Sequence, residues 1–547
     1  MKKHILIICF TLFFTAIYSQ EIGFQNKQSE GIRMKMSNWV VESRELGMID
    51  NFAYFLMKPY EKTYSNEIML GTQNHFIYKC DLNKNIIKAT ELVLEHDKKE
   101  LDFEKAIMVQ NKIFVFSSFQ NKKDKKHYLF AQNYNTNNES LTNNIKIAAE
   151  LDYSGFSKFN NTIFDLEVSP DGSKILVFYS LLNKSNEIIR SGFNIYDNEM
   201  NLLWNNNNVS AQFSGGYFEF SKFSVSNTGE VYLLGQHYKA KENYWENAKF
   251  SSRGFLTKDT YFVDMPNYNY ILYHYTNKTD KVEEYTFELP KKFIRNINIQ
   301  PSESGNVICS GFYSDPKKVS VVGSFYFELN MALQSVENLS TMDFSKEMLT
   351  KDLSQEELNR YRRSINNKQE WDPYSYLIGD VKTKQNGDRY FIAEQYLYGI
   401  KKQISGNTVY YLPIHIYNDL FIVNLNKENQ ISRIDKITKR QYWLVDDKFS
   451  SYTSFEKNNN LYFLFNTFEK KDTFFKNLEI SDSYIVKVDE NGIQKNSIFK
   501  KKKEDDKLPI PSLKYSINTR GNAVVFGAFP ISLKHHELIF QQITITE

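Results

Sequence analysis

Cysteine is nearly absent from this sequence, with three residues in 547. Cys9 falls in an apolar leader, which leaves Cys80 and Cys309 far apart in segments that have the pattern of strands. Two isolated cysteines of this kind favour two buried thiols over a disulfide framework or a metal-binding pair. The stability of the fold therefore has to come from its apolar core.

Strong charge of either sign is also lacking, since the formal net charge is +3. Loss of Lys2 and Lys3 with the leader would leave +1. A chain this close to neutrality has no global basic field to attract nucleic acid or anionic lipid. We therefore expect no nucleic-acid partner.

Motifs of catalysis and metal binding are missing as well. The sequence has no HExxH, no paired CxxC, no P-loop and no GxSxG elbow. His535 and His536 are adjacent, so in a strand they point to opposite faces and cannot share a metal ion. The segment that begins at Asp81 resembles the start of a calcium loop, but Ile86 and Leu92 occupy the positions that need glycine and a bidentate acid. We expect neither a metal nor a cofactor, and the absences favour a protein that is not an enzyme.

Only one run of the chain is apolar enough to concern a membrane, and it is short. Ile5 to Ala16 follow Lys2 and Lys3, which is the pattern of a secretory signal peptide. The run is shorter than the ~20 residues of a membrane span, which disfavours an uncleaved anchor. The sequence thus predicts a signal peptide over residues 1–19 and an exported mature chain over 20–547. That chain would be periplasmic, outer-surface or extracellular, with no membrane span.

Aromatic residues are abundant, with 36 Tyr and 43 Phe, which is typical of a folded chain. The clearest local signal is Ile163 to Ser180, where two apolar runs flank the turn Ser169-Pro170-Asp171-Gly172. Proline and glycine suit the second and fourth positions of such a turn, so the stretch predicts a β-hairpin.

This hairpin pattern recurs along the chain every ~45–75 residues, the range of β-propeller blades. The second strands of the units are the clearest: Ile113–Phe119, Ile175–Tyr179, Glu230–Gly235, Asn306–Phe312, Asp388–Gln395, Leu461–Asn466 and Asn522–Phe529. We count seven full units from near Trp39 to Phe499. An eighth unit from near Pro509 has three strands, the last being Leu538–Thr546, and a segment near Gly31–Met36 is expected to complete it. The predicted fold is one all-β propeller of four-stranded antiparallel blades, about eight in number, with seven as the alternative.

Two stretches of the sequence resemble known families. The decapeptide SPDGSKILVF is similar to the repeat of TolB-type and WD-repeat-like β-propellers. The segment from Asp372 to Gln441, with AEQYL, IYNDLFIVNLN and KITKRQ, resembles a group of uncharacterised secreted propeller proteins of Gram-negative bacteria. This resemblance implies the fold and export, and it implies no activity.

Three inserts interrupt the repeat: Lys239–Asn267 in the fourth unit, Gly399–His415 in the sixth, and Ser340–Trp371 between the fifth and sixth. The third is predicted to hold one short helix, capped by Ser354 with Glu357 three residues later. In an up-and-down blade, the loops between strands two and three and those between blades share one face of the ring. All three inserts should therefore lie on this face, which we call the insert-bearing face.

Aromatic residues on these inserts are candidates for recognition of a protein or a glycan. The set is Trp245, Tyr244, Phe250, Tyr261, Trp371, Tyr374, Tyr410 and Tyr411. The alternative is that they form a small satellite core that holds the loops together. The sequence therefore favours a non-catalytic binding or scaffold protein of the periplasm or cell surface. The other candidate is a carbohydrate-active hydrolase or lyase, which would need carboxylates or histidines converging in the central pocket with shifted pKa values. Oligomeric state stays open.

Overall fold

The computed structural model describes residues 22–29, 32–33, 39–60, 74–81, 86–154, 159–183, 188–209, 217–239, 257–261, 266–353, 355–366, 374–405, 408–444, 447–469, 479–500, 510–519, 523–529 and 537–547. The predicted signal peptide, residues 1–19, lies outside these ranges. Everything below concerns the described residues.

The chain is built almost entirely of strands. The N-terminal strands and blade one are β1 (Phe24–Gln28), β2 (Ile32–Arg33), β3 (Trp39–Ile49), β4 (Phe52–Tyr60), β5 (Phe76–Asp81) and β6 (Ile86–Glu91). A small hairpin and blade two follow as β7 (Glu95–His96), β8 (Lys99–Glu100), β9 (Asp102–Val109), β10 (Lys112–Asn121), β11 (Lys126–Asn135) and β12 (Ser140–Asp152). Blade three is β13 (Phe159–Val168), β14 (Lys174–Asn183), β15 (Ile188–Asp197) and β16 (Leu202–Asn206). Blade four and its insert are β17 (Tyr217–Val225), β18 (Val231–Tyr238), β19 (Thr257–Tyr261), β20 (Tyr268–Thr276) and β21 (Thr279–Thr286).

The second half of the chain continues in the same way. Blade five is β22 (Phe293–Pro301), β23 (Val307–Ser314), β24 (Val321–Asn330) and β25 (Ser335–Asp343). The helices α1 (Lys346–Thr350) and α2 (Gln355–Asn366) come next. Blade six is β26 (Ser375–Ile378), β27 (Lys382–Thr383), β28 (Arg389–Ser405), β29 (Thr408–Leu425), β30 (Ile431–Ile437) and β31 (Gln441–Leu444). Blade seven is β32 (Tyr452–Lys457), β33 (Asn460–Glu469), β34 (Glu479–Val488) and β35 (Gln494–Lys500). The last strands are β36 (Ile510–Asn518), β37 (Ala523–Phe529) and β38 (Glu537–Ile545).

Seven antiparallel blades are each built from one continuous stretch of chain, with their strands in sequence order from the first to the fourth. The predicted second strands coincide with β10, β14, β18, β23, β28, β33 and β37. The all-β propeller prediction is therefore confirmed. The structure supports seven blades, the alternative count, rather than about eight, and the segment expected as an eighth unit belongs to a separate sheet built from both ends of the chain.

This remaining sheet, the closing sheet, has the order β1-β38-β37-β36. β1 pairs with β38 from Phe24↔Ile545 to Gln28↔Gln541, and β2 adds only the pairs of Ile32 and Arg33. The predicted pairing of the two ends of the chain is therefore observed, but Phe24–Gln28 supplies most of the described pairs and Gly31–Met36 contributes only Ile32 and Arg33, its other residues lying outside the described ranges. β1 is the outermost strand and is largely exposed, so it carries no alternating apolar pattern that would reveal it.

The apolar core lies between consecutive sheets rather than within one centre. Blades one and two share a cluster around Leu56 and Val115, and blades four and five share one around Leu272 and Phe325. The closing sheet shares one cluster with blade seven and another with blade one. Since every sheet buries both of its faces against its neighbours, the ring is closed by packing as well as by pairing. Cys80 and Cys309 are buried free thiols within this core, as predicted.

The turn that defines the repeat forms as predicted. The amide of Gly172 donates to the carbonyl of Ser169 at 2.8 Å, and Gly172 has φ +71°. Gly229, Gly305 and Gly492 end four-residue turns of the same kind, with φ between +81° and +89°. Positive φ at the fourth position explains why these turns end in glycine.

The insert between blades five and six differs from the prediction. β25 continues to Asp343, so the first residues of the expected insert are a paired strand. The described part then contains two helices instead of one, since Ser345 caps α1 by accepting from the amide of Met348. In α2 Tyr361 is buried, as expected for its apolar face. The predicted cap Ser354 lies outside the described residues.

Candidate functional site

The inserts of blades four and six pair with each other on the insert-bearing face. β19, part of the first insert, runs antiparallel to β28 from Thr257↔Gln403 to Tyr261↔Gly399. The second insert, expected as a loop over Gly399–His415, instead extends the ladder of β28 and β29 as far as Ser405↔Thr408. We call this three-stranded extension the arm: β19, residues 399–405 and residues 408–414. Seven residues at ~3.4 Å each make it about 24 Å long.

A glycine fits the two inserts together. A Cβ on Gly399 would lie 2.6 Å from Cδ1 of Tyr261 and 2.7 Å from the carbonyl oxygen of Thr260. Any side chain at position 399 would therefore displace the Tyr261 ring or the strand that carries it. Gly399 is required by this close approach of two segments from different blades.

A satellite core fixes the base of the arm. Val319 and Leu397 are buried there, with Tyr261, Tyr374 and Ile416 packed against them. Val319 belongs to the loop between β23 and β24, and Tyr374 lies at the entrance of blade six. Segments of blades four, five and six thus meet in one small apolar cluster, which positions the arm on the ring.

The described members of the predicted aromatic set divide into two kinds. Tyr261 and Tyr374 are half-buried in the satellite core, and the hydroxyl of Tyr374 accepts a hydrogen bond from Nδ2 of Asn418 at 2.7 Å. Tyr410 and Tyr411 are 48% and 66% exposed on the arm. The other members of the set lie outside the described residues: Trp245, Tyr244, Phe250 and Trp371.

The register of the arm places its two exposed tyrosines on opposite faces. Tyr410 lies opposite Gln403 and Tyr411 opposite Lys402. Side chains alternate along a strand, so Tyr410 shares a face with Tyr261 and Gly399, and Tyr411 does not. We call these the Tyr410 face and the Tyr411 face of the arm.

A buried ion pair lies beneath the arm in blade six. Nζ of Lys439 is 2.5 Å from Oε1 of Glu394, and both side chains are at most 3% exposed. Burial lowers the pKa of Lys439, and the Glu394 carboxylate opposes this effect. Oε2 of Glu394 accepts from the hydroxyl of Ser451 at 2.6 Å, while Gln441 accepts from Nζ of Lys439 at 2.8 Å. The charges are therefore hydrogen-bonded as well as paired.

A second acidic group ties the helical insert to the same blade. Nζ of Lys436 lies 3.5 Å from Oδ2 of Asp419 and donates to the carbonyl of Lys351 at 2.9 Å, just after α1. Arg440 also pairs with Asp419, and Thr438 donates to Asp352 at 3.2 Å. These residues come from the segments IYNDLF and KITKRQ that carry the family resemblance. These residues therefore contribute to the architecture of blade six.

A third polar cluster connects blades six and seven to the closing sheet. Nζ of Lys514, on β36, lies 2.6 Å from Oδ2 of Asp447 and 3.1 Å from the hydroxyl of Tyr417. Burial alone would raise the pKa of Asp447, but the hydrogen bonds from Lys514 and Tyr417 outweigh burial and lower it. Burial and the Asp447 carboxylate both raise the pKa of Tyr417. Tyr417 is therefore a hydrogen-bond donor at neutral pH and not a base.

The first strands of consecutive blades contact one another and surround the centre of the ring. Nζ of Lys222 lies 2.6 Å from Oδ1 of Asn298 and 3.1 Å from Oδ1 of Asp380, which links blades four, five and six. Burial would raise the pKa of Asp380, but Lys222 and Asn298 lower it. This polar contact is a structural tie between three blades.

Three glutamates on these first strands have shifted pKa values. Glu45, Glu104 and Glu167 lie on β3, β9 and β13, in blades one to three. Glu45 and Glu167 are exposed and Glu104 is half-buried, and loss of solvent among the crowded inner strands is the main cause that raises the pKa of each. Carboxyls of this kind can act as acids in catalysis.

The described residues contain neither a cluster of metal ligands nor a helix of membrane-spanning length and hydropathy. They include no group of three His, Cys, Asp or Glu side chains arranged to hold a metal ion. No helix in the described part of the chain is long and apolar enough to cross a bilayer. His535 and His536 lie outside that part.

The polar clusters escaped the sequence analysis for different reasons. Lys439 and Arg440 follow the apolar strand β30, and charges in that position are usually solvated. Lys514 and Asp447 are 67 residues apart and have no pattern in common. The three glutamates are scattered at blade intervals, so only the order of the blades brings them to one side of the ring.

No protein-family model matches the sequence, and no curated protein matches it significantly. Among solved structures, the β-propeller domain of the Trilobed protease from Pyrococcus furiosus is 10% identical, with a TM-score of 0.29 over 72% of this chain and 97% of that one. An α-L-arabinanase from Penicillium chrysogenum is 9% identical, with a TM-score of 0.30 over 68% and 94%. An α-L-arabinofuranosidase from Fusarium graminearum is 8% identical, with a TM-score of 0.31 over 68% and 92%. Scores this low carry no argument about activity, and the fold assignment rests on the sheet topology of this chain.

Proposed function

We propose that the protein is a non-catalytic binding or scaffold protein that recognises a protein or a glycan through its insert-bearing face. The observation that carries this proposal is the pairing of β19 with β28, which joins inserts from two blades into one arm. Inserts with no role in binding have no need to be joined in this way across blades.

The buried contacts beneath the arm also favour a binding function. The satellite core and the Glu394–Lys439 pair hold its base, so a partner meets a surface that is already ordered. Preordered surfaces lose less conformational entropy on association, which strengthens binding. Tyr410 is the described residue of the predicted set that is both exposed and on the face shared with Tyr261.

The test begins with affinity purification of the tagged protein from its native envelope, followed by affinity measurements on single variants. Tyr410→Ala and Trp245→Ala should each weaken the binding free energy of the partner by about 2 kcal/mol, the level of an interface hot spot. Leu333→Ala is the matched control, since Leu333 is 72% exposed in the turn between β24 and β25, on the opposite face of the ring. Unchanged affinity in both aromatic variants, with an unchanged melting temperature, would contradict the proposal.

We also propose that the closing sheet acts as an eighth blade. It has four strands in propeller order and shares core clusters with both neighbours. A ring closed in this way would hold the insert-bearing loops at fixed distances from one another.

Export of the mature chain from about Gln20 belongs to the same proposal. Its support is the sequence pattern of Lys2, Lys3 and Ile5 to Ala16. Intact-mass analysis of the protein from a periplasmic fraction tests it. A mass that retains residues 1–19 would contradict it.

A second candidate function is cleavage of a glycan in the central channel, by hydrolysis or elimination. One observation favours it, namely the raised pKa values of Glu45, Glu104 and Glu167 on three consecutive first strands. Release of reducing ends from a panel of polysaccharides, repeated with each Glu→Gln variant, tests it. Activity that all three variants retain would exclude these carboxyls.

A further inference from the structure

On β28 and β29, the Tyr411 face of the arm is apolar apart from Lys402. Its cross-strand pairs are Ile400↔Pro413, Lys402↔Tyr411 and Ile404↔Val409, and Lys258 and Thr260 of β19 lie opposite Lys402 and Ile400 in the register. Ile404 and Val409 are 41% and 43% exposed, and Tyr411 is 66% exposed. Exposed aliphatic and aromatic side chains gathered on one face mark an interaction surface.

The arm is locally cationic in a chain that is nearly neutral. Lys402 of β28 lies on the Tyr411 face, with Lys258 of β19 opposite it in the register, whereas Lys401 and its register partner Asp259 belong to the other face. The weak overall charge gave no reason to expect affinity for anionic lipid, but the charge that matters at a small contact is local. Two lysines beside an apolar face complement an anionic surface.

The order of residues along the Tyr411 face indicates which class of partner it suits. Ile404 and Val409 form the last pair on this face, one residue short of the end of the ladder at Ser405↔Thr408, and Lys402 and Tyr411 form the next pair towards the ring. An aliphatic pair followed by tyrosine and lysine matches the order of hydrocarbon, interface and headgroup in a bilayer. Tyr410 and Tyr411 are both exposed, so the Tyr411 face of the arm is open to a partner.

We propose that the arm docks the protein on an anionic lipid bilayer through its Tyr411 face. Ile404 and Val409 enter the boundary of the acyl chains, Tyr411 lies at the interface, and Lys402 meets the headgroups. This goes beyond the proposed function, because the Tyr410 face stays available to a protein or glycan partner.

Sedimentation with vesicles tests the proposal on the full mature chain. The protein should bind vesicles of phosphatidylcholine and phosphatidylglycerol at 3:1, and bind vesicles of phosphatidylcholine alone at least about 10-fold more weakly. Ile404→Asp with Val409→Asp should weaken binding to the mixed vesicles at least about 10-fold. Lys402→Gln should remove most of the preference for the anionic vesicles, and Lys401→Gln, on the other face of the arm, should remove less of it. Leu333→Asp, on the opposite face of the ring, is the matched control and should bind like the wild type.

A fluorescence measurement makes the test independent of total binding. Tyr411→Trp should shift its emission to the blue when mixed vesicles are added, because the indole enters a less polar medium. Equal binding to both kinds of vesicle, full binding by the Ile404→Asp/Val409→Asp variant, or no blue shift would each overturn the proposal. Absence of vesicle binding would also overturn the proposal that the arm docks on a bilayer. The proposal of a protein or glycan partner is tested separately by Tyr410→Ala, so either proposal can fail while the other holds.

Discussion

Single buried residues decide how the stability of this protein changes with pH. His127 is buried, with Nδ1 2.9 Å from the hydroxyl of Thr162 and its ring against the edge of Phe164. Burial lowers the pKa of His127 from 6.5 to about 4. The native state therefore binds fewer protons than the unfolded state between these values, and the stability gained from His127 is lost as pH falls from 6.5 towards 4.

We expect His127→Gln to flatten the acid side of the stability profile. Glutamine can keep a hydrogen bond to Thr162 and does not titrate, so the pH-dependent loss of up to about 3 kcal/mol should disappear. The measurement is urea denaturation of both proteins at pH 7.5, 6, 5 and 4. Parallel stability curves for the two proteins over this range would contradict the assignment.

His274 provides a control of opposite sign. Burial acts to lower its pKa, but ion pairs with Glu230 and Glu283, at 3.4 and 2.9 Å, outweigh burial and raise it. Its contribution is present below pH 6.5 and is lost as pH rises through the raised value. His274→Gln should therefore abolish the loss of stability that His274 causes as pH rises above 6.5. His127→Gln should instead abolish a loss that occurs as pH falls below 6.5.

The ion pair of Glu394 and Lys439 makes a second prediction at this scale. Replacing Lys439 by Met leaves a buried carboxylate without its partner, which should destabilise the fold by about 3–5 kcal/mol. The double variant with Glu394→Gln should recover a large part of that loss. Urea denaturation of the wild type, both single variants and the double variant gives the coupling free energy. Additive effects would show that the two charges are not coupled.

At the scale of elements, the arm depends on one glycine. Gly399→Ala should disrupt the contact with Tyr261 and lower the free energy of unfolding by about 1–3 kcal/mol. The loss should fall mainly on the pairing of β19. Hydrogen exchange should then become faster at the amides of Thr257–Tyr261 and stay unchanged in the blades. Gly379→Ala in the same blade is the control, because its nearest neighbour would be a carbonyl oxygen at 3.4 Å. Unchanged exchange in β19 would mean that the inserts are not held by this contact.

The elements also show what the sequence could and could not predict. Second strands and their turns were predictable, because a buried apolar run such as Ile175–Tyr179 must follow a turn with glycine at positive φ. The arm could not be predicted, since Tyr261 and Gly399 pair across a separation of 138 residues and no sequence pattern links them. The same holds for β1, whose exposed outer position removes the alternation that predicts a strand.

The whole molecule is closed by pairing of its two ends. β38 contacts β1, β2 and β37, so removal of residues 538–547 would open the closing sheet. We expect this deletion to lower the melting temperature in one cooperative step, because blade one and blade seven both lose a packed neighbour. Calorimetry of the truncated and full-length proteins tests this. An equal melting temperature would show that closure contributes nothing to stability.

The central claim is that the insert-bearing face, and not the channel, meets the partner. It is tested most directly by replacing Tyr410, Glu167 and Leu333, one at a time, with a photo-crosslinking residue in cells that make the protein. These positions sample the arm, the channel wall and the opposite face of the ring. The account predicts a discrete protein or glycan adduct from position 410 and none from positions 167 and 333. An adduct from position 167 with none from position 410 would contradict it.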